Sequence, residues 1–311
     1  MATEDQAVKA RTARTILLGA LFSLVTSSVL LAWGVPFMKT WYYSFAWWSS
    51  ILALDGLNFR RAGRSPLFDS TPGFFLAAFL SIPIWLVFEL FNLRLDNWSY
   101  HGLPRSLAVR WPGYALAFAT VVPALIELEA FVRGFFAKRE GIMRPRHLTA
   151  AFLNLSSAAG IFCLILPLLF PRLFFPLVWL GFFFLLEPVN CRAGRPSLFR
   201  ELEAGRATRT LSWMAAGLAA GILWEIFNFW AGSHWEYAIP HLGFGRVFQM
   251  PILGYGGFIP FALEIEAMLA ALAGVSAAAM PSRALRTVFF GGLIAFDLAC
   301  FYLIDVFSLA R

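Results

Sequence analysis

The sequence predicts an all-α, polytopic bundle of transmembrane helices, and three observations carry that prediction. The 311-residue chain is 59% hydrophobic and only 14% charged, too apolar to turn its whole surface to water. Apolar runs of about 20 residues, the length a hydrocarbon layer of roughly 30 Å demands, recur along the entire chain. Finally, two long blocks of the sequence resemble each other.

Runs bounded by charges, proline and glycine predict about nine spans, at residues 15–33, 41–58, 73–93, 112–134, 149–170, 173–190, 211–231, 251–279 and 287–308. Residues 1–14, MATEDQAVKARTAR, mix both charge signs and read as a cytoplasmic tail. No small-residue cleavage site follows them, so the first span is expected to be retained.

Basic residues between spans predict the orientation. With the N-terminus inside, the inner segments hold seventeen, among them Lys9, Arg61, Arg64, Lys138, Arg139, Arg144, Arg146, Arg192, Arg195 and Arg283, and the outer segments seven, among them Lys39, Arg94, Arg110, Arg246 and Arg311. The reading is N-terminus cytoplasmic and C-terminus outside. The abundance of Ala, Leu and Arg points to a bacterial inner membrane. The net charge of +7 makes no continuous basic stripe, so no nucleic-acid partner is expected.

Self-similarity organises the chain. FELFNL at 88–93 aligns with WEIFNF at 224–229, matching Glu89 with Glu225 and Asn92 with Asn228. RAGR recurs at 61–64 and 192–195, with Asp55 and Asn58 upstream matching Glu187 and Asn190. NWSY at 97–100 matches HWEY at 234–237, and PALIELEAF at 123–131 matches PFALEIEAM at 260–268. Two parallel four-helix repeats are therefore expected, at 15–140 and 148–280, followed by a ninth helix within 284–311. That helix carries Asp297 and Asp305 and reads as a packing element that closes the bundle.

A carboxyl inside a span costs about 2.5–3.5 kcal/mol on insertion scales, so it needs a neighbour or a task. Glu89 and Asn92, like Glu225 and Asn228, are three residues apart and share a helix face, which is expected to point inward. They read either as a clamp in which Asn donates to Glu or as a binding site.

Pro123 and Pro260 each precede a glutamate, Glu127 and Glu264, by four residues. Each proline frees the carbonyl four residues earlier, Ala119 or Gly256, and GYGGF at 254–258 loosens the second helix further. A freed carbonyl with a carboxylate would suit a cation or a proton, whereas the plainer reading is a kink. Glu129 can pair with Arg133, but Glu266 has Ala270 at the same spacing.

Trp98, Tyr100, Trp235 and Tyr237 read as interfacial aromatic belts, or else the segments after them fold back over the bundle as a lid. The repeated arginines near residues 61–64 and 192–195 read as topology determinants, with Asp55 and Glu187 as their expected ion-pair partners.

The three cysteines match no zinc or redox spacing, and the four histidines lie outside the spans or at their edges. There is no P-loop, no nucleophile elbow and no repeated Asp-rich magnesium signature. No metal and no cofactor are expected.

Ten of the eighteen acids fall in or at the ends of predicted spans, so the interior is acidic and suits cations or neutral solutes better than anions. The leading functional reading is a transporter-like protein moving a small cation or neutral solute with proton coupling. Glu89, Glu127, Glu225 and Glu264 would be its coordinating or titrating groups, oriented by Asn92 and Asn228. A second reading is a cofactor-free membrane enzyme that protonates an isoprenoid or lipid through a glutamate while aromatic faces steady the cation. A third is a non-catalytic anchor or quinone-binding subunit working with membrane partner subunits.

Overall fold

The computed structural model describes residues 2–136, 144–145, 147–241 and 245–310. Lys138, Arg139, Arg146 and Arg311, which entered the charge count, lie outside the described residues, as does most of the junction between the two expected repeats.

The described chain is predominantly helical. The long helices are α1 (Ala2–Ala32), α2 (Pro36–Ala62), α4 (Thr71–Leu95), α5 (Leu107–Phe118) running into α6 (Val121–Phe136), α7 (Ala150–Leu169), α9 (Val178–Arg192), α11 (Thr208–Trp230), α12 (Phe258–Ala279) and α13 (Arg283–Phe307). Short helices α3 (Pro66–Asp69), α8 (Pro171–Phe174) and α10 (Leu198–Glu203) sit in the connections.

Eight helical segments among the described residues are long and apolar enough to cross a membrane. Helix α2 has the length, 27 residues, but Tyr, Ser, Asp55 and Asn58 keep it out of that set. Its termini are set locally. Pro36 occupies the first turn, where a missing N–H costs nothing, and Gly63 closes the other end at φ 68° with its N–H on Phe59 O.

Ahead of Pro123, where the sequence predicts a freed carbonyl or a kink, the helix is interrupted: α5 ends at Phe118 and α6 starts at Val121. Ser81 of α4 fills the interrupted ladder: its hydroxyl donates to Phe118 O at 2.5 Å and accepts from Val122 N at 3.0 Å. The second break also forms, as a 3-10 turn over Ile252–Gly257 before α12. Opposite that turn, α11 carries Gly217, where a Cβ would collide with Phe258 O, so α11 and α12 meet at backbone distance. Helices α7 and α9 meet in the same way at Gly160, where a Cβ would stand 2.5 Å from Leu185 N.

Helix α1 packs on α2, α2 and α4 on α6, α6 on α11, α9 on α7 and α12, and α13 on α4. The core between them holds Trp47, Leu80, Leu86, Phe88, Leu125 and Ile265, all buried.

The sequence reading contained no strands, yet the structure has two small ribbons. Strand β1 (Trp98–His101) pairs antiparallel with β2 (His234–Tyr237), setting Trp98 opposite Tyr237 and Tyr100 opposite Trp235. Strands β3 (Arg246–Val247) and β4 (Met250–Pro251) form the second. The chain after α13 also joins β1, since Tyr100 N donates to Ser308 O and Ala310 N to Tyr100 O.

Candidate functional site

The two Glu–Asn pairs sit where α4 and α11 end and the chain turns into the β1–β2 ribbon. Asn92 Oδ1 accepts from Asn97 N at 2.9 Å and Trp98 N at 3.2 Å, while its Nδ2 donates to Trp98 O at 2.8 Å. Asn228 repeats the arrangement on Trp235, accepting from its N and donating to its O, both at 2.8 Å. Each amide thus pairs with both backbone groups of a strand tryptophan. The expected clamp of Asn on Glu is replaced by this backbone pairing, which satisfies buried peptide groups that a helix end leaves open.

With the asparagines engaged, the glutamates look to the strand aromatics. Glu89 Oε1 accepts from Tyr100 OH at 2.5 Å, Trp85 Nε1 at 2.9 Å and Trp98 Nε1 at 3.1 Å. Glu225 Oε1 accepts from Tyr237 OH at 2.9 Å. Burial, reinforced by the neighbouring carboxylate, holds both strand phenols well above their ordinary range. The aromatic-belt expectation fails for Trp98 and Tyr100, which are 5% and 7% exposed and face inward.

These aromatics wall a cavity of about 580 Å³, bounded by α2, α4, α5, α9, α11, α12 and the ribbon. Trp85, Trp98, Trp179, Trp224 and Phe261 line it together with Tyr100 and Tyr237, whose hydroxyls donate to Glu89 and Glu225 behind the wall. Ring packing fixes the wall: Trp98 stacks on Trp179 at 6.3 Å and Phe88 on Trp179 at 5.3 Å. Its size and apolar character suit a small hydrophobic molecule, with a few polar groups to orient it.

The other predicted residues lie elsewhere. Glu127 is buried against α2, where Asn58 Nδ2 donates to its Oε2 at 2.8 Å and to its backbone carbonyl at 3.0 Å. Glu264 is buried against α9 and accepts from Phe182 N at 2.7 Å. None of the four glutamates is itself a lining residue of the cavity, and the partners of Glu127 and Glu264 are Asn58 and Phe182 N rather than a proline-freed carbonyl. Glu89 Oε2, Glu127 Oε1, Glu225 Oε2 and Glu264 Oε2 have no hydrogen-bond partner among the described residues.

Nine of the ten intramembrane acids are buried, Asp305 alone being partly exposed. Glu129 is held by Arg133 and by Ser212 of α11, as its spacing foresaw in part, whereas Glu266 takes Arg209 from the neighbouring helix. Asp55 and Glu187 do not pair with the repeated arginines. Asp55 accepts Leu67 N at 3.0 Å, and Glu187 accepts Ser197 Oγ at 2.7 Å and Phe199 N at 3.0 Å. The similarity therefore extends beyond RAGR to RAGRSPLF and RAGRPSLF, whose short helices α3 and α10 dock on these acids.

Sequence reasoning missed Tyr100, Tyr237, Trp85 and Trp179 as parts of one site. The W-x-Y alternation shared by 98–100 and 235–237 was the available strand signal. No protein-family model, curated protein or solved structure matches the chain.

Proposed function

We propose that this integral membrane protein is a cofactor-free enzyme acting on an unsaturated hydrocarbon of the isoprenoid class, by acid–base chemistry at the two Tyr–Glu dyads. The observation that carries the reading is one apolar aromatic chamber lined by Tyr100 and Tyr237, whose hydroxyls each bond a buried glutamate behind the wall. In one dyad the glutamic acid passes its proton to the tyrosine oxygen as the tyrosine hydroxyl gives its hydrogen to a carbon–carbon double bond. A second double bond attacks the resulting cation, a carbon–carbon bond forms, and the other dyad removes a proton, so the net reaction is an isomerisation. Indole and phenyl faces stabilise the positive charge on the way.

Transport of a cation is less well supported, because the chamber wall is apolar and no carboxylate among the described residues lines it.

The antiparallel pairing of NWSY with HWEY supports two parallel repeats, since each strand meets its counterpart about a local two-fold axis. Nine spans, with α2 included, agree with Gln6 of α1 reaching Gly63 O at one end of α2 while Lys39 O accepts Gly232 N at the other. A cytoplasmic N-terminus, an outer C-terminus and a bacterial inner membrane complete the reading.

The test is expression in a host that accumulates linear polyprenoids, followed by mass analysis of extracted lipids. A product of unchanged mass but altered retention, lost in Glu89→Gln and Glu225→Gln, is expected. Proton uptake into liposomes under an imposed potential, abolished by Glu264→Gln and unaccompanied by any lipid product, would return the assignment to transport.

A further inference from the structure

A second cavity, of about 480 Å³, lies on the flank of the bundle where α1, α2 and α5 meet. Gly19 of α1, Phe45 and Trp48 of α2, and Leu116 of α5 form its sides. Phe45 is 39% exposed and Leu116 46%, so its outer rim faces whatever surrounds the bundle, which for apolar spans is the hydrocarbon of the bilayer.

Several of its polar groups are already engaged. Ser49 Oγ donates to Ser23 Oγ at 2.9 Å, and Trp48 Nε1 donates to Leu116 O at 3.1 Å. The groove thus offers a guest chiefly apolar surface, and Gly19 leaves open space along it, with nothing within 4 Å of a Cβ placed there.

Two residues belong to both cavities: Trp41 and Ser44 line the flank groove and the aromatic chamber. They are three positions apart on α2 and share one face, so an indole and a small hydroxyl form part of the wall common to the two cavities. The Trp41 ring rests on α5, where a Cβ at Gly113 would lie 3.5 Å from it. Rotation of one side chain, on the timescale of rotamer exchange, would join groove to chamber.

We infer that the groove between α1, α2 and α5 is a lateral portal through which an isoprenoid chain passes from the bilayer into the chamber, with Trp41 as its gate and Ser44 as its sill. The inference rests on the chamber reading above. It also fits the physics of the ligand, because a molecule dissolved in the hydrocarbon layer reaches such a portal without crossing water.

The test uses the full-length protein in phosphatidylcholine vesicles and a C15 isoprenol bearing a photoreactive diazirine. Labelled peptides are mapped by mass spectrometry against exposure time. In the wild type, label is expected both in the groove, around Phe45 and Leu116, and in the chamber, around Tyr100 and Trp179.

Trp41→Ala should raise the rate of chamber labelling roughly tenfold, as expected for removal of about 1.4 kcal/mol of barrier. Ser44→Trp, checked for a monodisperse fold, should slow chamber labelling by a similar factor and spare the groove. If Ser44→Trp does not fold, the rate in Trp41→Ala decides. Chamber labelling at the wild-type rate in the folded variants would overturn the portal and leave the chamber standing. Absence of chamber label in the wild type, even at long exposure, would remove both.

Discussion

Tyr100 donates its phenolic hydrogen to Glu89 Oε1 over 2.5 Å, from a strand to the helix that precedes it. Tyr237 does the same to Glu225, but the two carboxyls are not equally supported. Glu89 Oε1 also takes Trp85 and Trp98, whereas Tyr237 is the side-chain donor found on Glu225. Tyr237→Phe is therefore expected to cost more stability than Tyr100→Phe. Without Tyr237, Glu225 keeps the backbone of Gln249 and Met250, whereas Glu89 without Tyr100 keeps two indole donors, so within the range of about 0.5–3 kcal/mol the Tyr237 variant should lie higher. Unfolding midpoints in mild detergent measure the difference, and equal midpoints would show that the tryptophans contribute nothing to Glu89.

The same phenols predict how stability responds to alkali. Burial, then the charge of Glu89 or Glu225, raises both above the usual value near 10, so above that pH the folded chain keeps protons that the unfolded chain releases. The stabilisation is fully present below pH of about 10 and is lost as pH rises further. Melting temperatures between pH 8 and 11 should fall more steeply for the wild type than for Tyr100→Phe/Tyr237→Phe.

Helix positions and the inward face of Glu89, Asn92, Glu225 and Asn228 were legible because apolar length and three-residue spacing are local properties of the chain. The role of the asparagines was not. Their partners, Trp98 and Trp235, lie six and seven residues on, across a turn that helical periodicity does not describe. The chamber was less legible still. Tyr100 and Tyr237 come from strands of four residues that are set by pairing between distant parts of the chain, so composition read them as interface aromatics. Glu127 and Glu264 were recognised as buried, but the elements that would face them, α2 and α9, could not be read from their own helices.

If each asparagine is a backbone clasp, its amide matters more than its polarity. Asn228→Asp removes the donor to Trp235 O and sets a carboxyl oxygen against that carbonyl, whereas Asn228→Ser keeps one donor and one acceptor. The aspartate variant should lose about 1–3 kcal/mol. It should also lose the interaction of Tyr237 with Glu225, because Trp235 and Tyr237 share a four-residue strand. Tyrosine ultraviolet absorption in alkali would report the second effect: the step near pH of about 10 should grow by one phenol in Asn228→Asp relative to the wild type.

The last prediction concerns α13, which the sequence offered as a packing helix. Asp305 accepts from Arg110 Nε and from a second guanidinium nitrogen, both at 2.8 Å, and from Trp111 Nε1 and Tyr114 OH at 2.9 Å. The pair is 12% and 10% exposed, so removing one charge strands the other, which costs about 3–5 kcal/mol, while replacing both with apolar groups is often nearly neutral. Asp305→Asn should destabilise strongly, and Arg110→Leu/Asp305→Leu should recover part of the loss, the remainder being the acceptor that Trp111 Nε1 and Tyr114 OH lose. Three residues past Asp305 the chain brackets Tyr100 through Ser308 O and Ala310 N. Any dyad activity should therefore remain low in the double variant even where stability returns, because the hold on β1 depends on where α13 ends. Recovery of stability and activity together would reduce α13 to packing alone.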